Sequence, residues 1–324
     1  MKNKRVLIFG GSGSLGITLI NRLIKDNDIS VFSRDESKHW KIKNYIKNSN
    51  LSFSVGDIRD YRKVREEIVK YNPHVIIIAS ALKHVDVCEM SPDESILTNI
   101  KGPQNVADAV SDKITELDNL ETVLMVSTDK ACSPINVYGM CKAISERVVL
   151  EKGIRFVNPK FLAVRYGNVI QSTGSIIPVF IHQAMNEENF TITRNDMTRF
   201  LMTLDDSVDL ILNTIKNGKS GETWIPKLRS MRIKNLVDLF SERYKKSVIE
   251  IGIRCGEKIH ESLINETESI RTIVKEDHYI IRPFFDTKVY NDAIYDYNSS
   301  SDLMEKTELL CYLNNLNIFE LENL

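Results

Sequence analysis

Two neighbouring stretches carry residue types that do chemistry. Tyr138 and Lys142 form a YxxxK pair, preceded by Ser127-Thr128-Asp129-Lys130-Ala131. A spacing of four places the tyrosine and lysine on one face of a helix. There an ammonium lowers the phenol's pKa and turns it into a usable acid/base. Thr128, Asp129 and Lys130 set a hydroxyl, an acid and an amine on consecutive residues. Hydride transfer needs only a hydroxyl beside Tyr138; the extra acid and base point to a second proton-transfer step, such as elimination of water. In isolation YxxxK is an ordinary exposed helix face, and Asp129-Lys130 is a turn cap. Their place in the chain argues for the chemical reading.

That place is set by a third stretch, GGSGSLG, where Gly10, Gly13, Ser14 and Gly16 join a first strand to a first helix. Such a loop gives a tight turn, close backbone approach to a pyrophosphate, and a helix N-terminus aimed at the anion. At the end of the second strand stands Ser33-Arg34, with Asp35 next. A guanidinium suits a 2′-phosphate and so favours NADP; with Arg34 as a surface charge, Asp35 binds NAD instead. Asp57 is placed to reach the adenine edge, or else caps the following helix. Ala79, at the end of the fourth strand, and Lys83 after it complete the cofactor side. Lys83 and His84 also face the expected sugar.

The elements that must hold these residues alternate. Strands are expected at Arg5–Gly10, Ile29–Ser33, Leu51–Val55, Val75–Ala79, Thr122–Ser127 and Phe161–Arg165. Helices are expected near Leu15–Lys25, Lys38–Lys47, Tyr61–Tyr71, Pro92–Val110 and Val137–Glu151. This is the pattern of an α/β fold with a doubly wound, Rossmann-type parallel sheet. After Arg165 strands thin out, and helical periodicity returns at Asp205–Lys216 and Ile233–Tyr244, with Ser207 and Lys234 near their starts. The expected division is a dinucleotide-binding domain over 1–165 with a returning segment near 200–225. A smaller α+β lobe takes 166–199 and 226–290, and a tail over 291–324 serves as a latch or interface arm. Asn298–Ser301 reads as a polar, flexible stretch.

Composition narrows the function. The 324 residues carry 43 basic and 44 acidic side chains, a net charge of −1, which disfavours nucleic acid as the main partner. Five cysteines without a CxxC pair suit reduced thiols and a cytoplasmic protein. No apolar run is long enough to span a bilayer, and Leu321–Leu324 carry no prenylation signal. No metal site is expected: His84 has no second His or Cys at ligand spacing. His260, Met90 and Phe284-Phe285 read as packing, Cys132 and Cys141 as inert thiols.

GGSGSLG, SRDE, GDIRD, SALKHVDVCE, TNIKG, STDKACSPINVYGMCK, RYGNV, GSIIP, NDMTRF and GEKIHE together resemble the soluble inverting UDP-N-acetylglucosamine 4,6-dehydratases. These belong to the extended short-chain dehydrogenases/reductases and serve capsule and O-antigen synthesis. The resemblance runs from about residue 4 to residue 285. It implies a tightly held, recycled NADP, transient oxidation at C4, loss of water across C5–C6, and return of hydride to C6 with inversion at C5. The product is UDP-2-acetamido-2,6-dideoxy-β-L-arabino-hex-4-ulose. In that reading Tyr138 takes the C4 hydroxyl proton and Lys142 holds the nicotinamide ribose. Lys130 abstracts the C5 proton, its pKa depressed by burial and by Lys142, and Asp129 protonates the departing hydroxyl. Arg199, Arg254 and Lys258 match positions near the nucleotide, Asn168 reaches the phosphate or sugar, and Glu261 binds the uridine ribose. Asn99 braces the backbone. The family forms homo-oligomers, as dimers or hexamers. Alternatives are a UDP-glucose 4,6-dehydratase, another UDP-sugar epimerase or reductase of the superfamily, and a non-catalytic NADP-sensing regulator.

Overall fold

The first half alternates strand and helix: β1 (Arg5–Phe9), α1 (Ser14–Leu23), β2 (Asp28–Ser33), α2 (Glu36–Tyr45), β3 (Leu51–Val55), α3 (Tyr61–Tyr71) and β4 (Val75–Ile78). The computed structural model describes residues 1–320 apart from Gln171, Thr173, Glu187 and Thr287. The prenylation reading of Leu321–Leu324 therefore lies outside the described residues. β4 is Val-Ile-Ile-Ile and is buried throughout, as a strand covered by helices on both faces must be.

The helix expected over Pro92–Val110 is interrupted. After α4 (Val85–Met90) it forms as α5 (Pro92–Ile96), a π-helical turn over Leu97–Lys101, and α6 (Gly102–Asp112). Pro103 has no N–H to offer the carbonyl four residues back, at Asn99. That carbonyl instead accepts the Ser145 hydroxyl from α7 (Val137–Arg155), which follows β5 (Thr122–Val126). The wide turn thus has two causes, a proline in its own segment and a serine from another helix.

β6 (Lys160–Val164), β7 (Asn168–Val169), α8 (Ile176–Met185), β8 (Phe190–Ile192), β9 (Thr198–Met202), α9 (Leu204–Asn217) and β10 (Thr223–Pro226) come next. α9 starts one residue before the expected boundary, closed by a capping box between Thr203 and Asp206. The chain continues through β11 (Ser230–Arg232), α10 (Ile233–Tyr244), β12 (Val248–Glu250), β13 (Ser262–Ile264), α11 (Glu266–Ser269), β14 (Thr272–Val274), β15 (His278–Ile281), β16 (Tyr297–Asn298) and α12 (Lys306–Asn315).

The main sheet runs β14-β15-β10-β6-β5-β4-β1-β2-β3. From β3 to β10 the pairs are parallel, and β1 meets β2 with Arg5 opposite Asp28 and Phe9 opposite Phe32. Leu19 and Ile20 of α1 with Val208 and Ile211 of α9 cover one face. Val64 and Ile68 of α3, Val106 and Val110 of α6, and Val149 of α7 cover the other. α9 packs on this body and β10 pairs with β6. Unlike the expectation for 226–290, β14 and β15 also join it, antiparallel beyond β10. Buried Ile280 and Ile281 close an edge that β10 would otherwise expose.

The lobe has its own core, with Phe180, Phe190 and Phe240 in mutual ring contact. Leu309, Leu313 and Ile318 of the tail are fully buried in it, so the described tail is lobe structure and not a free arm. The stretch Asn298–Ser301 is anchored as well: Ser299 is buried and its hydroxyl donates to the Thr198 carbonyl. Among the described residues no helix is long and apolar enough to cross a membrane.

Arg165 ties the two bodies together. It forms two-point pairs with Glu146 of α7 at 3.1 and 2.6 Å and with Glu268 of α11 at 2.8 and 3.0 Å. Removing one partner of such a buried set leaves uncompensated charge, at a cost of about 3–5 kcal/mol. Arg165→Met should lower the urea midpoint by that equivalent; a change below about 1 kcal/mol would mean that the carboxylates find other partners.

Candidate active site

A cavity of ≈ 800 Å³ opens along the carboxyl ends of the parallel strands, where the chain order reverses between β1 and β4. This is where doubly wound sheets take ligands. One end is built by the β1–α1 turn. Gly10 has φ +86°, and a Cβ there would lie 2.6 Å from the Ser80 backbone nitrogen; at Gly16 it would lie 2.3 Å from the Gly11 carbonyl oxygen. Only glycine fits, so the backbone of this turn and the N-terminus of α1 are bared to the cavity. Gly13, at the N-cap of α1, and Ser14 line it too.

The far end of this groove holds Ser33, Arg34, Asp35, Lys38 and Asp57. The Ser33 hydroxyl donates to Ser12 at 2.9 Å. Asp35 is occupied as the N-cap of α2, accepting the Lys38 N–H at 3.0 Å. Both oxygens of Asp57 accept from Arg59, each at 2.9 Å, and Arg34 lies 3.9 Å away. The helix cap alternative for Asp57 is overturned, because Asp60 caps α3. Arg34 and Lys38 are two cations at this rim, Lys38 Nζ lying 3.5 Å from the second oxygen of Asp35.

The other end holds the chemistry. Thr128, Asp129, Lys130, Tyr138 and Lys142 all line the cavity, with Ala79, Lys83, His84, Asn168 and Arg254. β5 ends at Val126, and a single 3₁₀ turn over Asp129–Ala131 points Asp129 and Lys130 back under the pocket. Asp129 is 1% exposed and accepts the Thr128 hydroxyl at 2.8 Å and Lys130 Nζ at 3.1 Å. Tyr138 and Lys142 are buried on the same face of α7, and Lys142 Nζ donates to the Val126 carbonyl at 2.6 Å. Asn99 does brace backbone: its side chain closes a ring of two hydrogen bonds on Leu82, at 2.8 and 2.9 Å, and so fixes the loop after β4.

Two expectations about charge are corrected. Burial opposes the Lys130 ammonium, yet Asp129 and Glu261 outweigh it and hold its pKa above the ordinary value. The lysine that is depressed is Lys142, which burial lowers to about 8. Tyr138 is raised, to about 12, by burial first; the Lys130 charge and the Thr128 hydroxyl pull the other way. Asp129 is also raised, through burial and through Glu261, with Lys130 opposing.

The substrate-side expectations divide. His84, Asn168 and Arg254 are at the cavity wall, but Arg199, Lys258 and Glu261 are not. The Arg199 guanidinium donates to the carbonyls of Thr198 and Ile259, at 2.7 and 3.1 Å, and Lys258 Nζ to that of Cys132 at 2.7 Å. Glu261 is 2% exposed and lies 3.2 Å from Lys130 Nζ. It faces Lys130. Glu257, Lys38, Ser12 and Tyr166 line the cavity and had not been singled out. Ser12, Tyr166 and Glu257 lie inside the quoted motifs GGSGSLG, RYGNV and GEKIHE, and Lys38 lies two residues beyond SRDE.

The sequence profile of the polysaccharide biosynthesis protein family matches residues 6–283. The chain belongs to this family. A UDP-N-acetylglucosamine 4,6-dehydratase (inverting) of Campylobacter jejuni is 38% identical over 86% of this chain and 83% of its own. A UDP-glucose 4-epimerase of Rickettsia prowazekii is also 38% identical, over 82% and 79%. The X-ray structure of Pen from Bacillus thuringiensis superposes with a TM-score of 0.90 at 31% identity, covering 98% of both chains. DesIV, a dTDP-glucose 4,6-dehydratase of Streptomyces venezuelae with NAD and TYD bound, shares the fold at a TM-score of 0.70 and 20% identity, over 79% of this chain and 86% of its own. These similarities put the family among the extended short-chain dehydrogenases/reductases that act as nucleotide-sugar dehydratases and epimerases.

The lowered Lys142 has a measurable consequence. Between pH about 8 and its ordinary value of 10.5 the unfolded chain holds this proton and the folded chain does not, so stability rises with pH across that window. Below it, the buried ammonium costs of order 3 kcal/mol. Lys142→Met should be the more stable protein at pH 7, with the advantage fading towards pH 10. Urea midpoints of both proteins at each pH test this, and a pH-independent difference would refute it.

Proposed function

We propose that this chain is a UDP-N-acetylglucosamine 4,6-dehydratase that inverts C5. The observation that carries the reading is the Asp129–Lys130 pair, buried beside Tyr138 at the cavity floor. Oxidation and re-reduction at one carbon, as in a 4-epimerase, needs the tyrosine and lysine only. An acid and an amine in contact supply what elimination adds.

The glycine-lined turn and the bared N-terminus of α1 fit a dinucleotide pyrophosphate. When bound, a nicotinamide supplies the oxidant for C4 and the reductant for C6. Arg34 and Lys38 at the rim favour NADP, since Asp35 caps a helix instead of facing a ribose. Lys142 holds the ribose on the nicotinamide side, and Lys83 and His84 face the sugar. Arg254 takes the diphosphate, and Asn168, whose buried Oδ1 is unpartnered, accepts from a sugar hydroxyl.

Asp129 and Glu261 favour the ammonium form of Lys130, so its base form arises by proton transfer across the 3.1 Å contact to Asp129. One transfer prepares both partners: the amine takes the C5 proton and the carboxylic acid protonates the leaving C6 hydroxyl. Tyr138 in its protonated form, which burial favours, is the donor to C5 on the opposite face. Taking the C4 proton requires it ionised, and Lys130 and Thr128 are the groups that favour that form. A homo-oligomer is supported by exposed Met90, Ile96, Met140 and Ile144 on helices that pack together, α4, α5 and α7.

Incubation with UDP-N-acetylglucosamine in D₂O, with UDP-glucose in parallel, should give a C6 methyl signal, deuterium at C5 and an inverted C5 coupling pattern by proton NMR. Lys130→Ala should abolish the methyl signal. Interconversion of the C4 epimers without a methyl, surviving in Lys130→Ala, would make the protein an epimerase. On the cofactor side, Arg34→Ala should weaken NADP binding by roughly ten-fold or more and leave NAD nearly unchanged, as read by fluorescence titration. Equal losses for both would assign Arg34 no part in the choice.

A further inference from the structure

Glu261 belongs to the lobe, yet it is nearly inaccessible and its Oε1 lies 3.2 Å from Lys130 Nζ. It does not line the cavity, so it meets Lys130 from behind while Asp129 meets it at 3.1 Å. Its backbone is fixed in both directions by Ser299: the Glu261 N–H donates to the serine hydroxyl at 3.0 Å, and the Ser299 N–H to the Glu261 carbonyl at 2.8 Å. Its second oxygen, Oε2, is buried without a hydrogen bond. A buried carboxylate this poorly satisfied is expensive, and an ammonium is the natural compensation. We propose that Glu261 is a positioning residue: from beneath the cavity floor its carboxylate holds the Lys130 amine against Asp129 and stabilises the charge that Lys130 gains when it takes a proton.

The proposal rests on the dehydratase reading for its chemistry. The pair Lys130–NH₃⁺/Asp129–COO⁻ becomes Lys130–NH₂/Asp129–COOH by one internal proton transfer. The amine then takes the C5 proton, the C5–H electrons form the C5=C6 bond, and the C6–O bond breaks as the oxygen takes the Asp129 proton and leaves as water. The ammonium and carboxylate are restored, with Glu261 opposite the new positive charge. Turnover therefore needs exactly one proton on the pair, and kcat/KM follows a bell in pH. The other groups facing this pair are Tyr138 of α7, Thr128 of its own turn, and Arg199 and Lys258 from the lobe, which act on Lys130 or Glu261 through their charge. Of the two carboxylates in contact with Lys130, Glu261 is the one outside the reacting pair.

Removing the negative charge releases protons from the pair more readily in both steps, so Glu261→Gln should move both limbs of the bell to lower pH, by roughly one to three units. Glu261→Asp, which keeps the charge, should hold the bell in place while kcat falls. A direct reading comes from lysines labelled with ¹³C at Cε, the Lys130 resonance being assigned with Lys130→Arg. It should titrate at lower pH in Glu261→Gln than in the parent protein. An unmoved Lys130 titration in a folded Glu261→Gln overturns the proposal, as does a Glu261→Asp protein whose Lys130 titrates as in Glu261→Gln. The NMR readout needs no turnover. A shifted titration in a protein that makes no C6 methyl product would sustain Glu261 as the partner of Lys130 and refute the dehydratase reading alone.

Discussion

Everything in this site depends on burying charge without leaving it alone. Lys130, at the cavity, meets the buried carboxylates of Asp129 and Glu261, and Arg165 is buried outright with Glu146 and Glu268. Ions removed from water cost several kcal/mol each unless they are paired in good geometry. In both sets two members come from the strand-and-helix body and one from the lobe. The lobe is therefore held against the sheet by the requirement that these charges find each other, beyond any apolar contact.

The same requirement sets the chemistry. A lysine deep in a protein is pushed towards losing its proton, as Lys142 is, because burial outweighs the opposing charge of Glu146. Lys130 lies in the same cavity and goes the other way, because two carboxylates flank it. Two lysines lining one cavity are thus given opposite protonation preferences by their surroundings. That division matches a site in which one amine holds a ligand and the other exchanges protons.

The parallel sheet was legible in the chain because its signals are local. β4 needs four apolar residues in a row, the β1–α1 turn needs glycine at positions 10 and 16, and α7 needs its tyrosine and lysine four apart. Each is a constraint that a few consecutive residues satisfy by themselves. Where a neighbour from elsewhere intervenes, the pattern is not enough. The π-helical turn over Leu97–Lys101 follows from Pro103 together with a serine on another helix, and β15 reads as lobe until β10 is seen to need an edge partner.

The amino-acid sequence by itself determined the αβ alternation, the glycine turn, and the set of acid, amine and phenol that gather at one end of the sheet. Only the tertiary structure decided their protonation, and with it which carboxylate serves which lysine. Glu261 lies more than a hundred residues from Lys130, and its motif resembles a nucleotide-binding one, so no spacing rule connects them. Charge preference is a property of surroundings, set by burial and by distances of about 3 Å that exist only once the lobe has closed against the sheet.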